Sequence, residues 1–123
     1  MKYMLLAYSA AQSWDEQTVT AEEIQRICDF YERLQGELVA SGEWVGSEGL
    51  ADPSHTSTIR RVDGVPVTTD GPLVEVKETL VSFSIVDVAS RERALEIASQ
   101  VVAFTGDDCE VRPVMDMSAG PDA

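Results

Sequence analysis

The sequence predicts an α+β fold of the ferredoxin-like kind, β-α-β-β-α-β with a hairpin inserted in its middle. Two segments, 24–38 and 94–102, carry apolar residues at the 3.6-residue spacing of amphipathic helices. Six β-rich runs lie before, between and after them. Between two of those runs stands Asp63-Gly64, and Asp-Gly signals a tight hairpin because a type I′ turn needs positive φ at both central positions.

Each element has its own warrant along the chain. Lys2 to Tyr8 reads as a strand apolar on both faces, hence central in its sheet. Ser9 to Thr18 reads as a loop in which Trp14 caps the core, lines a pocket or meets a second subunit, the first being the preferred reading. Thr20-Ala-Glu-Glu23 is a capping-box start, followed by an apolar stripe of Ile24, Ile27, Cys28, Tyr31, Leu34 and Leu38. Gly42 supplies the left-handed residue that ends this helix. Glu43 to Leu50 reads as extended, Ala51 to His55 as a loop, and Thr56–Val62 and Val65–Thr69 as the hairpin strands. Pro66, with no N–H to donate, places its strand at an edge. In the long strand Glu78 to Val88, Val81, Phe83 and Ile85 share the face expected to meet the helices. Leu80, Ser82, Ser84 and Val86 share a mixed face expected to meet a cavity or another subunit. Ser90 caps the second helix, with Ala94, Leu95, Ala98, Val101 and Val102 as its buried stripe, and Cys109–Val114 closes the sheet.

With 123 residues the chain suits one domain, 1–115, with a frayed tail at 116–123. The net charge of −13, with nine Lys and Arg in all, argues against nucleic acid and against an anionic membrane surface as partners. No targeting segment or membrane-length apolar run is visible, which points to the cytoplasm. Cys28 and Cys109 form no CxxC and read as an incidental buried pair of reduced thiols. Helices on one side of an antiparallel sheet leave its other face bare. A second copy of the chain is the simplest cover, so a homodimer whose sheets face each other and enclose two pockets is expected.

The chemistry-bearing residues gather around Val67-Thr-Thr-Asp-Gly-Pro-Leu-Val-Glu-Val-Lys-Glu78. Gly71 takes positive φ, Pro72 fixes the chain, and Asp70 either closes its own turn or is held at a pocket mouth. In the second reading Asp70 is a general base and Lys77 stabilises developing anionic charge, with Glu78 arriving on the same strand. Glu48 and Glu75 are further acidic candidates, and His55 is the single histidine. Arg60 and Arg61 alternate in facing, so one of them should point to the barrel side of the sheet, and Arg112 can do the same. Such a set suits a small anionic or phenolic compound. There is no metal-ligand spacing, GxGxxG, P-loop or GxSxG, so neither a metal nor a cofactor is expected.

Met1-Lys-Tyr-Met-Leu-Leu6, Gly46-Ser-Glu-Gly-Leu50, Val67-Thr-Thr-Asp-Gly-Pro72 with Glu75, Lys77 and Glu78, and Glu110-Val-Arg-Pro-Val114 together resemble the YCII-related proteins, in consistent order from about Met1 to Val114. Within them the chain is similar to the subgroup named for its Asp-Gly-Pro-Phe (DGPF) motif. The resemblance implies a dimeric α+β barrel of ferredoxin-like subunits. It also implies a family in which other branches have a proposed His–Asp pair and include a dehydrochlorinase. The subgroup itself is mostly uncharacterised and is often encoded near alternative sigma factors. Three departures bear on inherited catalysis rather than on fold: Leu73 stands for the motif's Phe, Leu80-Val-Ser-Phe83 for the usual Gly-Gly-Tyr-Tyr, and His55 lies far from the first strand.

Overall fold

The computed structural model describes residues 1–10, 20–72 and 78–118. The elements run β1 (Lys2–Ala10), α1 (Ala21–Ser41), β2 (Trp44–Gly49), a 3-10 turn (Pro53–His55), β3 (Ser57–Val62), β4 (Val65–Asp70), β5 (Glu78–Asp87), α2 (Arg91–Thr105) and β6 (Asp108–Pro113). Four strands form one antiparallel sheet in the order β2-β5-β1-β6, while among the described residues β3 and β4 pair only with each other. The architecture is α+β and compatible with the ferredoxin-like arrangement, the extra hairpin forming a separate ribbon. As its two-sided apolar pattern predicts, β1 is central.

The helix termini follow the local chemistry of the sequence. The Thr20 hydroxyl accepts from the Glu23 N–H at 3.1 Å, and the Ser90 hydroxyl accepts from the Arg93 N–H at 3.2 Å. Gly42 (φ 79°) and Gly106 (φ 75°) end α1 and α2 in the left-handed region, where a side chain would be strained. Asp63 (φ 50°) and Gly64 (φ 81°) make the predicted tight turn.

The core forms where one face of the sheet meets both helices. Tyr3, Leu5 and Val86 pack with Phe30, Leu34 and Leu38 of α1 and with Ala94, Ile97, Ala98 and Val101 of α2. Phe30 stacks on Phe104 with ring centroids 4.0 Å apart and planes 1° from parallel, locking the two helices together.

Four expectations need correction. The faces of β5 are reversed: Tyr3, Leu5 and Ala7 stand opposite Val86, Ser84 and Ser82, so the serine-bearing face lies under the helices. Large helix residues supply the volume there, and Ser84 satisfies its hydroxyl by donating to Ser47 at 3.2 Å. Phe83 and Ile85 instead stand opposite Leu6 and Met4 on the other face, half-buried. The helix stripes are also shifted. Phe30 and Ile97 are buried, whereas Ile24 is 48% exposed and Leu95 38%, because the side of each helix that meets the sheet is set by packing rather than by its most apolar arc. Arg60 and Arg61 do not alternate across the four-stranded sheet, since β3 belongs to the separate ribbon. Cys28 and Cys109 are no buried pair: both thiols are free and Cys28 is exposed. The expectations for Trp14 and for the tail beyond Ser118 lie outside the described residues. Among the described residues no helix is long and apolar enough to cross a membrane.

Candidate functional site

The Asp70-Gly71-Pro72 turn sits at the base of the ribbon, where β4 ends beside the start of β3. Gly71 has φ 98°, a value an L side chain resists. Its N–H donates to the Thr56 carbonyl at 2.7 Å, and its own carbonyl accepts from the Thr58 hydroxyl at 2.6 Å. Thr69 adds a longer bond from its hydroxyl to the Thr58 carbonyl at 3.4 Å. The turn is therefore tied down by the opposite strand. Asp70 stands opposite Ser57 and is exposed. Among the described residues no hydrogen bond or ion pair occupies its carboxylate. Lys77, Glu75 and Leu73 lie outside the described residues.

His55 ends the 3-10 turn that Asp52 caps, the Asp52 carboxylate accepting from the Ser54 N–H at 2.9 Å. That backbone bond, with the Ser54 side chain adding to it, holds the Asp52 carboxyl below its ordinary value. His55 is exposed and lines an open cavity of about 270 Å³ together with Leu50, Pro53, Thr56, Thr79 and Leu80. Thr56 is the residue whose carbonyl anchors Gly71. Through it, the cavity and the Asp-Gly-Pro turn share one wall.

The remaining candidates divide between the sheet face turned away from the helices and the ribbon. Opposite residues in an antiparallel pair point the same way, so the register assigns the open face. Met4, Leu6, Tyr8, Leu80, Phe83 and Ile85 form its apolar middle. Glu48 stands opposite Phe83 at one side, and Arg112 opposite Met4 at the other. Glu78, opposite Ala10, shares its end with Asp108, opposite Tyr8, and Glu110 follows opposite Leu6. The Glu78 carboxyl is pushed above its ordinary value, first by a hydrogen bond with Asp108, then by the charges of Asp108 and Glu110. Arg60, opposite Val67 on the ribbon, is exposed and away from this group.

The sequence had offered Glu78 but not its two acidic neighbours. They are some thirty residues further along the chain, and only the strand register joins them. Among the described residues no group of three or more His, Cys, Asp and Glu side chains is placed to hold a metal ion.

A second cavity of about 170 Å³ opens on the helix side, lined by Tyr31, Leu38, Trp44, Ser47, Ser84 and Ile97 among others. Burial pushes the Tyr31 hydroxyl above its ordinary value, with Asp107 and Cys109 adding to the shift.

Comparison with known proteins gives the chain a family. The family model of the YCII-related domain matches residues 1–118. An uncharacterized protein of Rhizobium meliloti (strain 1021) is 31% identical over 120 residues, which cover 93% of this chain and 92% of that protein. A match over nearly the whole chain, with an antiparallel sheet, two helices and the Asp-Gly-Pro turn in their expected order, makes the chain a member of the YCII-related domain family.

Proposed function

We propose that the protein is a cytoplasmic homodimer of the Asp-Gly-Pro-Phe type, a dimeric α+β barrel in which two sheets face each other and bind a small anionic or phenolic molecule. The observation that carries this reading is the sheet face turned away from the helices, on which no described helix packs. Its middle is apolar through Met4, Leu6, Phe83 and Ile85, and charged groups, Arg112 among them, stand around it. An apolar surface of that kind on a soluble domain marks an interaction site, and a pocket with a few convergent polar groups suits a small ligand. The domain comprises residues 1–115 in this reading, with 116–123 as a tail.

Catalysis is the second reading, and the state of Asp70 favours it. Its turn is secured by Thr56 and Thr58, and among the described residues none occupies the carboxylate, which suits a group that accepts a proton from a bound compound. In that case the protein is a cofactor-free lyase or isomerase with Asp70 as general base, and Lys77 or Arg112 stabilises the anion. The alternative to both is a regulatory dimer without catalysis, serving sigma-factor-linked transcription by protein contact.

Sedimentation analysis combined with amide NMR during titration with 4-hydroxybenzoate tests the proposal. A dimer with shifts at Leu6, Leu80, Phe83 and Ile85 is expected, extending to His55, Thr56 and Asp70 on the catalytic reading. Asp70→Asn should abolish proton exchange from a bound substrate while leaving the dimer intact. A monomer at all concentrations, with no shifts at millimolar ligand, would refute the proposal.

A further inference from the structure

The ribbon β3–β4 stands outside the core, and nearly all of it is exposed. Ile59 is 68% exposed, Val62 51%, Val65 59% and Val67 41%. Apart from partly buried Thr58, every residue from Ser57 to Asp70 is exposed. A two-stranded ribbon is marginally stable alone in water, and one presenting four large aliphatic side chains needs a surface to lie on. Its register sorts the residues. Val62–Val65 and Arg60–Val67 are opposite pairs on one face, while Ile59–Thr68 and Arg61–Pro66 are opposite pairs on the other. The first face is the more apolar and carries one guanidinium. Among the described residues Arg60 has no ion-pair partner.

The surface that matches this face is on the chain itself. The open sheet face is apolar in its middle, and Asp108 and Glu110 stand along its β6 side with Glu78 at the end. There the Asp108 hydrogen bond and like charge act on the Glu78 carboxyl, an environment that an added cation would relieve. Two copies each carrying −13 repel at long range, so their association requires opposite charges focused where they touch.

We propose that the ribbon is an arm that reaches onto a second copy of this chain, laying its valine face along the rim of the partner's open sheet and seating Arg60 among the carboxylates of Glu78, Asp108 and Glu110. The partner copy thus supplies a cation to the end of each sheet pocket, so neither site is complete in one subunit. This rests on the homodimer reading and adds to it the arm, its docking face and the ion set.

Equilibrium sedimentation of the full chain and of single charge reversals tests the arm. Arg60→Glu is expected to raise the dimer dissociation constant on the order of ten-fold or more, and combining it with Asp108→Lys and Glu110→Lys should restore dimerisation. Arg61→Glu, on the opposite face, should change it less than about two-fold. Circular dichroism should show all of them folded, since none of these side chains belongs to the core. Should a reversal unfold the chain, Arg60→Ala and Arg61→Ala ask the same question. A wild-type dimer weakened equally by both reversals, or by neither, overturns the arm and leaves the homodimer standing. A wild-type monomer overturns both.

Discussion

Arg93 joins three parts of the chain with one guanidinium. Its Nε and one terminal nitrogen donate to Glu43 at 2.8 and 2.9 Å, and the other donates to Glu96 at 2.8 Å. Glu43 lies between the end of α1 and the start of β2 and also accepts from the Ser41 hydroxyl at 2.7 Å. The Arg93 hydrogen bonds, then that of Ser41, hold the Glu43 carboxyl below the usual carboxylate range. A group whose folded value is depressed stabilises the fold above its unfolded value and loses that stabilisation as pH falls through the folded one. Arg93→Ala should therefore cost about 1 kcal/mol at neutral pH, the pair being only partly shielded from water. Wild type and variant should converge in urea denaturation once the pH drops well below the ordinary carboxylate value of about 4.3. An undiminished difference at pH 3 would assign the effect to the packing of the arginine stem.

At the scale of elements, caps and turns were legible because their chemistry is local. Thr20, Gly42, Asp63-Gly64 and Ser90 each act within a few residues of where they stand. Facing was less legible. Leu95 is as apolar as Ile97, yet Ile97 is 1% exposed and Leu95 38%, since the direction in which α2 meets the sheet depends on α1 and β1. Ile97→Ala is accordingly expected to cost about 2–5 kcal/mol and Leu95→Ala less than about 1 kcal/mol, both by chemical denaturation. Equal costs would mean that α2 is rotated from the position described. The same limit governed the candidate site. Glu78 could be named from its strand, but Asp108 and Glu110 become its neighbours only through pairing on either side of β1. The error over β5 has a related cause. Counting apolar residues assigns the richer face to the core, and that rule assumes a chain with a single apolar surface to bury.

For the molecule as a whole, the richer face of β5 is the one turned away from the helices, and its half-buried residues set a further expectation. On the homodimer proposed above, Phe83→Glu should give a monomer in sedimentation while leaving the helical circular dichroism intact, because Phe83 lies outside the helix–sheet core. Loss of the fold instead would show that Phe83 is needed within one subunit. The sheet topology has one more consequence. Among the described residues both strands of the ribbon have a free edge, β3 and β4 pairing only with each other, and unpaired edges invite other chains to add strands. Pro66 removes one donor from such an edge, and Arg60 and Arg61 place positive charge along the other, devices that discourage uncontrolled β-sheet growth. Pro66, Arg60 and Arg61 thus guard the exposed valine ribbon against strand addition by other chains.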